Sequence, residues 1–273
     1  MRIGGVIFDL GHTLMGLDGT WAEVFERGAA DLAAFLDGKA LTATGQTVGV
    51  GLRPAPAGRI DGMAFARALL RRRDEGYSHA KETLREVTAE ESMRWTFAHF
   101  GLPDPPSELV QGACDAFFAY EEASWSAYPA ALPVLRALAA RGLRLGLFSN
   151  ATSDRFIQRL VDRFGFRAYL HPALSSGGVG IRKPDPAALA PFPAAWGLPA
   201  GAVVMVGDSL EADILGAQRA GMRSVWIPSR EDARQEGLTP EERLHAAGTR
   251  PDRTIAGLEE LPGCVESLST REV

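Results

Sequence analysis

Short apolar segments alternate with longer helical patterns along this chain, and three of these segments run directly into a polar residue. They are Val6–Phe8, Leu143–Phe148 and Val203–Gly207. Short apolar runs between polar breaks are typical of buried strands, and helical stretches between such strands favour a parallel sheet. The pattern therefore predicts an α/β fold built on a parallel sheet.

The stretch between the first two of these strands has a different pattern, with apolar positions at helical spacing. Helices are predicted to begin near Thr20, Met63, Thr88 and Ser107, and the first and third of these sites have the sequence of a capping box. Residues 38–60 are rich in Gly, Thr and Pro, which predicts a long loop. We therefore predict a helical domain over residues 15–124, inserted into an α/β core domain formed by residues 1–14 and 125–273.

In the second half of the chain, helix and strand patterns alternate. A helix is predicted over Glu211–Ala220 and a strand over Ser224–Ile227, whereas Ser175–Ile181 is rich in turn residues. Arg230–Gly248 is strongly charged and is predicted to be a surface excursion.

Polar side chains follow the three predicted strands at the point where each strand ends. These residues are Asp9, Ser149 and Asp208, and Asp213 follows at the start of the next helix. Because the carboxyl ends of parallel strands face one crevice, we expect these side chains to converge. Acids and a hydroxyl in one crevice can hold a divalent cation and a phosphoryl group.

Composition narrows the range of partners. The chain has 273 residues, of which 46% are hydrophobic and 23% charged, and its net charge is −5. An acidic balance argues against nonspecific binding to nucleic acid or to anionic membranes. No apolar run approaches the ~18 residues of a membrane span. Cys114 and Cys264 have no metal-ligand spacing, which favours reduced thiols and a cytoplasmic protein. A monomer or a homodimer fits these features.

Four motifs, in this order along the chain, resemble those of the haloacid dehalogenase-like (HAD) hydrolase superfamily. They are Phe8–Leu14, Phe148–Asn150, Lys183–Pro186, and Val206–Ser209 with Asp213. The helical insertion matches the position of the cap that one type in this superfamily carries between its first and second motifs. The resemblance implies a Rossmann-like parallel sheet with helices on both faces, together with an inserted α-helical cap domain.

The resemblance also implies a Mg²⁺-dependent phosphatase of a small phosphorylated metabolite. Asp9 would attack phosphorus and form an aspartyl-phosphate. The metal would be held by Asp9, the Gly11 carbonyl, Asp208 and, through a water, Asp213. The phosphoryl group would be bound by Ser149, the Asn150 amide and Lys183, with Thr13 as a supporting hydroxyl. Lys183 is one of only three lysines in the chain.

The sequence departs from the family pattern at Gly11. Phosphatases of this superfamily usually carry there a second Asp that protonates the leaving group, a role that typically supplies ~10²–10⁴-fold in rate. Four interpretations stay open. The substrate has a good leaving group or assists its own proton transfer; His12 replaces the acid; a cap residue such as Glu23, His79 or Glu121 reaches in; or the protein is weakly active or inactive.

Two further classes of function are compatible with Gly11. The first is a dehalogenase or phosphonatase of the same superfamily, although a dehalogenase does not need Asp208, and a phosphonatase would need a cap lysine such as Lys39 or Lys81. The second is a binding protein built on an inactive core, against which the otherwise complete set of acids argues.

Overall fold

In the part of the chain that the structure describes, eight strands form two sheets. They are β1 (Gly5–Phe8), β2 (Met15–Leu17), β3 (Trp125–Ala127), β4 (Arg144–Ser149), β5 (Ala173–Ser175), β6 (Val203–Gly207), β7 (Arg223–Trp226) and β8 (Arg253–Thr254). Six of them pair in parallel in the order β5-β4-β1-β6-β7-β8, and β2 pairs with β3. The structure, a computed structural model, describes residues 2–39, 59–228 and 238–269. The predicted parallel α/β fold is confirmed.

The strands are joined by helices. These are α1 (Trp21–Lys39), α2 (Gly62–Thr83), α3 (Ala89–His99), α4 (Ser107–Ser124), α5 (Ala131–Ala140), α6 (Asp154–Arg163), α7 (Ser176–Val179), α8 (Pro186–Leu189), α9 (Pro191–Trp196), α10 (Leu215–Arg219), α11 (Pro240–Ala247) and α12 (Leu261–Ser269). A π-helical turn, Leu210–Ile214, precedes α10, and 3₁₀ turns lie at Phe166–Ala168, Ala200–Ala202 and Leu258–Glu260. Within the described ranges, no helix is both long and apolar enough to cross a membrane.

Strand β1 lies between β4 and β6, and all four of its residues are buried. Strands covered on both faces are apolar throughout, which explains why this segment lacks the alternation of a half-exposed strand. Helix α9 packs on the sheet through Phe192, which joins a core cluster with Ile7. A Cβ atom at Gly146 of β4 would lie 2.6 Å from a ring carbon of Phe192, so the aromatic ring occupies the space above this glycine.

The chain divides into two compact units. One comprises residues 1–17 and 126–273 and contains the six-stranded sheet; the other comprises residues 18–125 and contains α1 to α4. In the helical unit, α1 packs against α2 and α4, and α3 packs against α2 and α4. Along the chain, this helical unit lies between the first two motifs.

Several local expectations can be compared with the structure. Both capping boxes are present, because the Thr20 and Thr88 hydroxyls accept from the backbone three residues on, and a Glu carboxylate accepts from each threonine N–H. The apolar helical pattern that begins near Met63 predicts a helix as far as Arg73, whereas helix α2 extends ten residues further, to Thr83. The buried positions in this extension are small, Gly76 and Ala80, so they produced no apolar stripe.

Strand β5 and helix α11 are among the elements that were not expected. Strand β5 has only three residues and lies at the start of the turn-rich segment. Helix α11 lies within the charged segment predicted as a surface excursion, and it begins with a capping box formed by Thr239 and Glu242. Residues 230–237 of that segment, and residues 40–58 of the loop predicted over 38–60, lie outside the described residues.

Candidate active site

Three neighbouring strands bring the predicted site residues together. Phe8 is in register with Leu147 of β4 and with Val206 of β6, so the chain leaves all three strands at the same edge of the sheet. The Asp9 N–H donates to the Val206 carbonyl over 2.9 Å, which extends the pairing of β1 with β6 by one residue. Asp9, Ser149 and Asp208 therefore stand at the carboxyl ends of adjacent strands.

Three carboxylates meet at this edge. Asp9, Asp208 and Asp213 each offer an oxygen, and these oxygens all lie within 4.8 Å of one another. Asp208 and Asp213 are buried, with 8% and 1% of their surface exposed, and the Asp9 side chain is 13% exposed. So close a group of carboxylates in a region of low solvent access repels itself strongly unless cations compensate it.

The π-helical turn places Asp213. Ser209 caps this turn, because its hydroxyl accepts from the Ala212 N–H over 3.0 Å. The Ser209 N–H donates to Asp213 Oδ2, also over 3.0 Å. Gly207 makes room for the carboxylate, since a Cβ atom there would lie 2.1 Å from Asp213 Oδ2. The glycine at the end of β6 is thus required by close approach of a side chain.

Lys183 is the cation that faces these acids. Its Nζ lies 2.7 Å from Asp9 Oδ1 and 2.6 Å from Asp213 Oδ1, and it donates to the Phe148 carbonyl over 2.8 Å. The residue is 2% exposed. Three oxygen partners for an ammonium group with three donors account for its burial.

Asn150 holds the backbone that carries this lysine. Its side-chain amide donates to the Lys183 carbonyl and its side-chain oxygen accepts from the Lys183 N–H, both over 2.9 Å. We predicted Asn150 only as a backbone amide that binds the phosphoryl group, and this pairing of its side chain was missed. No pattern along the chain signals it, because the two residues are far apart in sequence.

The protonation states of Asp9 and Lys183 follow from their surroundings. Burial raises the pKa of Asp9 to about 7, against the lowering effect of Lys183, and the charge of Asp213 raises it further. Burial alone would lower the pKa of Lys183, but Asp213 and Asp9 outweigh this effect and the pKa is raised. The lysine therefore stays charged, whereas Asp9 needs an additional cation to be ionised below neutral pH.

The donor set fits a divalent metal ion. Three carboxylates converge in a buried place, and Lys183 pairs with two of them, Asp9 and Asp213. Burial, and to a smaller extent the charge of Asp213, raises the pKa of Asp9 to about 7, so a further cation would favour its ionised form. Oxygen ligands from carboxylates and carbonyls are those that Mg²⁺ prefers.

The other predicted residues make the following contacts. Ser149 ends β4 and is buried. The Thr13 hydroxyl lies 3.5 Å from Asp208 Oδ1, so its contact is with Asp208. Gly11 forms a bridge with Met15 in the turn after Asp9, and His12 in the same turn has a left-handed φ of 56°. Glu23 is engaged in the capping box of α1, and buried Glu121 accepts from Trp125 Nε1 over 3.5 Å.

Trp226 was not predicted as a site residue. It is the last residue of β7, and its indole N–H donates to the backbone carbonyl of Asp208 over 2.7 Å. The hydrophobic pattern predicts the strand that contains Trp226, one strand beyond the Asp208 motif. It does not predict which group accepts the hydrogen bond from the indole N–H.

Comparisons with known proteins agree with the motifs. Residues 3–221 match the family model of the haloacid dehalogenase-like hydrolases. The chain is 34% identical to a phosphoserine phosphatase of Thermus thermophilus, over 59% of this chain and 58% of that protein, which is less than two thirds of the relative's length. It is 32% identical to a phosphoglycolate phosphatase of Rhodospirillum rubrum, over 80% of this chain and 76% of that protein. The crystal structure of a 2-haloacid dehalogenase from Pseudomonas syringae superposes with a TM-score of 0.62 at 26% identity, covering 97% and 99% of the two chains.

Proposed function

Because this chain belongs to the haloacid dehalogenase-like hydrolase family, as the four motifs predicted, we propose that it hydrolyses small phosphate monoesters with the help of Mg²⁺. The single observation that carries the proposal is the position of Asp9, at the edge of the sheet between buried Lys183 and two further carboxylates. The relatives named phosphoserine and phosphoglycolate phosphatase support a small phosphorylated metabolite as the substrate class.

The covalent step uses the Asp9 carboxylate as the nucleophile. One of its oxygens forms a bond to phosphorus while the bond from phosphorus to the ester oxygen breaks, and the alcohol leaves with a proton. Water then attacks phosphorus and gives up a proton while the bond between phosphorus and the Asp9 oxygen breaks, so that phosphate leaves and the Asp9 carboxylate is restored. Two displacements through an acyl-phosphate replace one difficult attack by water.

The residues around Asp9 have complementary roles in this scheme. Lys183 fixes one Asp9 oxygen by a 2.7 Å contact and supplies positive charge where negative charge develops on the phosphoryl group. The Ser149 hydroxyl, at the end of the adjacent strand, binds a phosphoryl oxygen.

The metal would be held by Asp9, Asp208 and the Gly11 carbonyl, with Asp213 acting through a water. When bound, Mg²⁺ offsets the negative charge of the carboxylates and of the phosphoryl group. Its charge also favours the ionised form of Asp9, whose pKa burial raises to about 7. The proposed requirement for Mg²⁺ thus follows in part from the need to ionise the nucleophile, Asp9.

We assign the proton transfer to the leaving group to His12, which follows Gly11 in the turn after Asp9. An imidazole has a suitable pKa near ~6.5 when it is unperturbed. The assignment implies that hydrolysis of an ester with a good leaving group depends little on His12, whereas hydrolysis of an alkyl ester depends on it strongly.

The test measures hydrolysis of p-nitrophenyl phosphate, phosphoserine and phosphoglycolate with Mg²⁺. We expect turnover by the wild type, loss of at least ~10³-fold in Asp9→Asn, and an unchanged rate in the matched control Asp162→Asn, which alters an exposed carboxylate paired with Arg167. His12→Gln should slow the alkyl esters about 100-fold and spare p-nitrophenyl phosphate. Undiminished activity of Asp9→Asn would refute the role of Asp9, and equal losses on both ester types would refute that of His12.

Carbon–halogen hydrolysis is the second candidate. It is favoured by Gly11, where no second acid is present, and by the likeness to the 2-haloacid dehalogenase. Asp208 argues against it, because displacement of a halide requires no metal acids. Chloride release from 2-chloropropionate by the wild type, without phosphate release from any ester, would establish this alternative.

A further inference from the structure

Trp226 contacts the backbone of a metal-site acid without reaching the site itself. The side chain is fully buried, and its indole N–H donates to the Asp208 carbonyl over 2.7 Å. Its own backbone lies in the sheet, where Trp226 is in register with Gly207. The indole is therefore anchored at one end by strand pairing and directed at the peptide that follows Asp208.

That peptide is held from both sides. The carbonyl of Asp208 and the N–H of Ser209 belong to the same planar unit, and in a trans peptide they point in opposite directions. The carbonyl accepts from Trp226, and the N–H donates to Asp213 Oδ2 over 3.0 Å. The Trp226 indole therefore holds the carbonyl of this peptide, and the N–H on the opposite side of the same peptide orients the Asp213 carboxylate. Hydrogen bonds in such a chain strengthen one another by polarisation.

Packing reinforces the same arrangement. Trp226 forms a buried cluster with Leu210 and Ile214, the first and last residues of the π-helical turn that carries Asp213. On another side of the ring lies the guanidinium of Arg243 from α11, 5.6 Å from the ring centroid, a distance typical of a cation–π contact. The Trp226 side chain thus supports the backbone segments that carry Asp208 and Asp213, and the guanidinium of Arg243 covers its ring.

We propose that Trp226 is a positioning residue for the metal-binding carboxylates Asp208 and Asp213. It acts through the peptide between Asp208 and Ser209, and Arg243 holds its ring in place. The inference rests on the metal requirement of the proposed function. Residues that orient metal ligands typically contribute about 10- to 100-fold to metal affinity.

The experiment is calorimetric titration of the full chain with Mg²⁺, for the wild type, Trp226→Phe and Trp125→Phe. The control makes the same chemical change at another buried tryptophan, whose indole N–H donates to Glu121. We expect Trp226→Phe to weaken Mg²⁺ binding about tenfold or more and Trp125→Phe to change it by less than about twofold. Thermal unfolding of the three proteins separates this effect from a general loss of stability.

Three results would overturn the inference: unchanged Mg²⁺ affinity in Trp226→Phe, equal weakening in both variants, or a wild type that binds no Mg²⁺. If Trp226→Phe fails to fold, Arg243→Met gives the test, with weakening by about threefold or more expected and unchanged affinity as the refutation. A wild type that hydrolyses no ester but shows the expected contrast in Mg²⁺ affinity would refute the proposed function and leave this inference standing.

Discussion

Replacement of Gly207 by alanine would test how closely the site depends on the position of Asp213. A Cβ atom at this position would lie 2.1 Å from Asp213 Oδ2 and 2.3 Å from its Cγ. Gly207 is the last residue of β6, where it pairs with Trp226 of β7, and Asp213 is buried, so neither group has free space to move into. The substitution therefore forces a displacement rather than a rotation of an exposed side chain.

The size of the displacement follows from these distances. Ordinary contact begins at 3.4 Å, so the carboxylate would have to retreat by about 1.3 Å. A retreat of that size breaks the 3.0 Å hydrogen bond from Ser209 and the 2.6 Å contact with Lys183. Misplacement by ~1 Å can cost about 100-fold in rate, and overpacking a core costs about 1–3 kcal/mol in stability. We expect losses of this order in kcat/KM for p-nitrophenyl phosphate and in the free energy of unfolding by urea.

Gly146→Ala is the matched control. It adds the same methyl group to β4, where the nearest atoms belong to Phe192 and Trp196 instead of a site carboxylate. We expect a similar loss of stability and a change of less than about threefold in kcat/KM. Full activity in a folded Gly207→Ala protein, or an equal loss of activity in the control, would refute the reasoning.

Two other predictions concern buried charges. Lys183→Met leaves Asp9 and Asp213 without their common cation, so it should lower the free energy of unfolding in EDTA by about 3–5 kcal/mol and abolish turnover; wild-type stability in urea would contradict this. Burial raises the pKa of Glu121 from 4.5 to about 7, against the effect of Arg73, so the folded state favours the protonated carboxyl. The wild type should therefore lose stability relative to Glu121→Gln as pH rises from about 4.5 through 7, by about 3 kcal/mol in all, and a difference that is independent of pH would exclude this linkage.

The sequence was sufficient to predict which acids converge. Asp9 and Asp208 each follow a short apolar run. The geometry of a parallel sheet brings such positions to one edge regardless of the structure of the intervening chain. The positions of Asp9 and Asp208 therefore followed from pattern alone. Asp213 required the family resemblance, because an acid on a helix start is usually a cap.

The contacts that orient these acids could not be predicted. The pairing of the Asn150 amide with the backbone of Lys183, and that of the Trp226 indole with Asp208, depend on side-chain direction in three dimensions. Neither changes the hydrophobic pattern. The π-helical turn before α10 was also missed, because its apolar positions fit an ordinary helix equally well.

Strand β1 has neighbours that are distant along the chain. Gly5 pairs with Arg144 of β4 and with Val203 of β6, and helices α1 to α4 lie between β1 and β4. At ~5–20 residues per second, these partners leave the ribosome about 140 and 200 residues later, roughly 10 to 40 s after β1. During that interval the strand that leads into the proposed nucleophile has no sheet to join, which makes it a segment for chaperones to protect. Asp9 gains its surroundings only when both β4 and β6 have emerged.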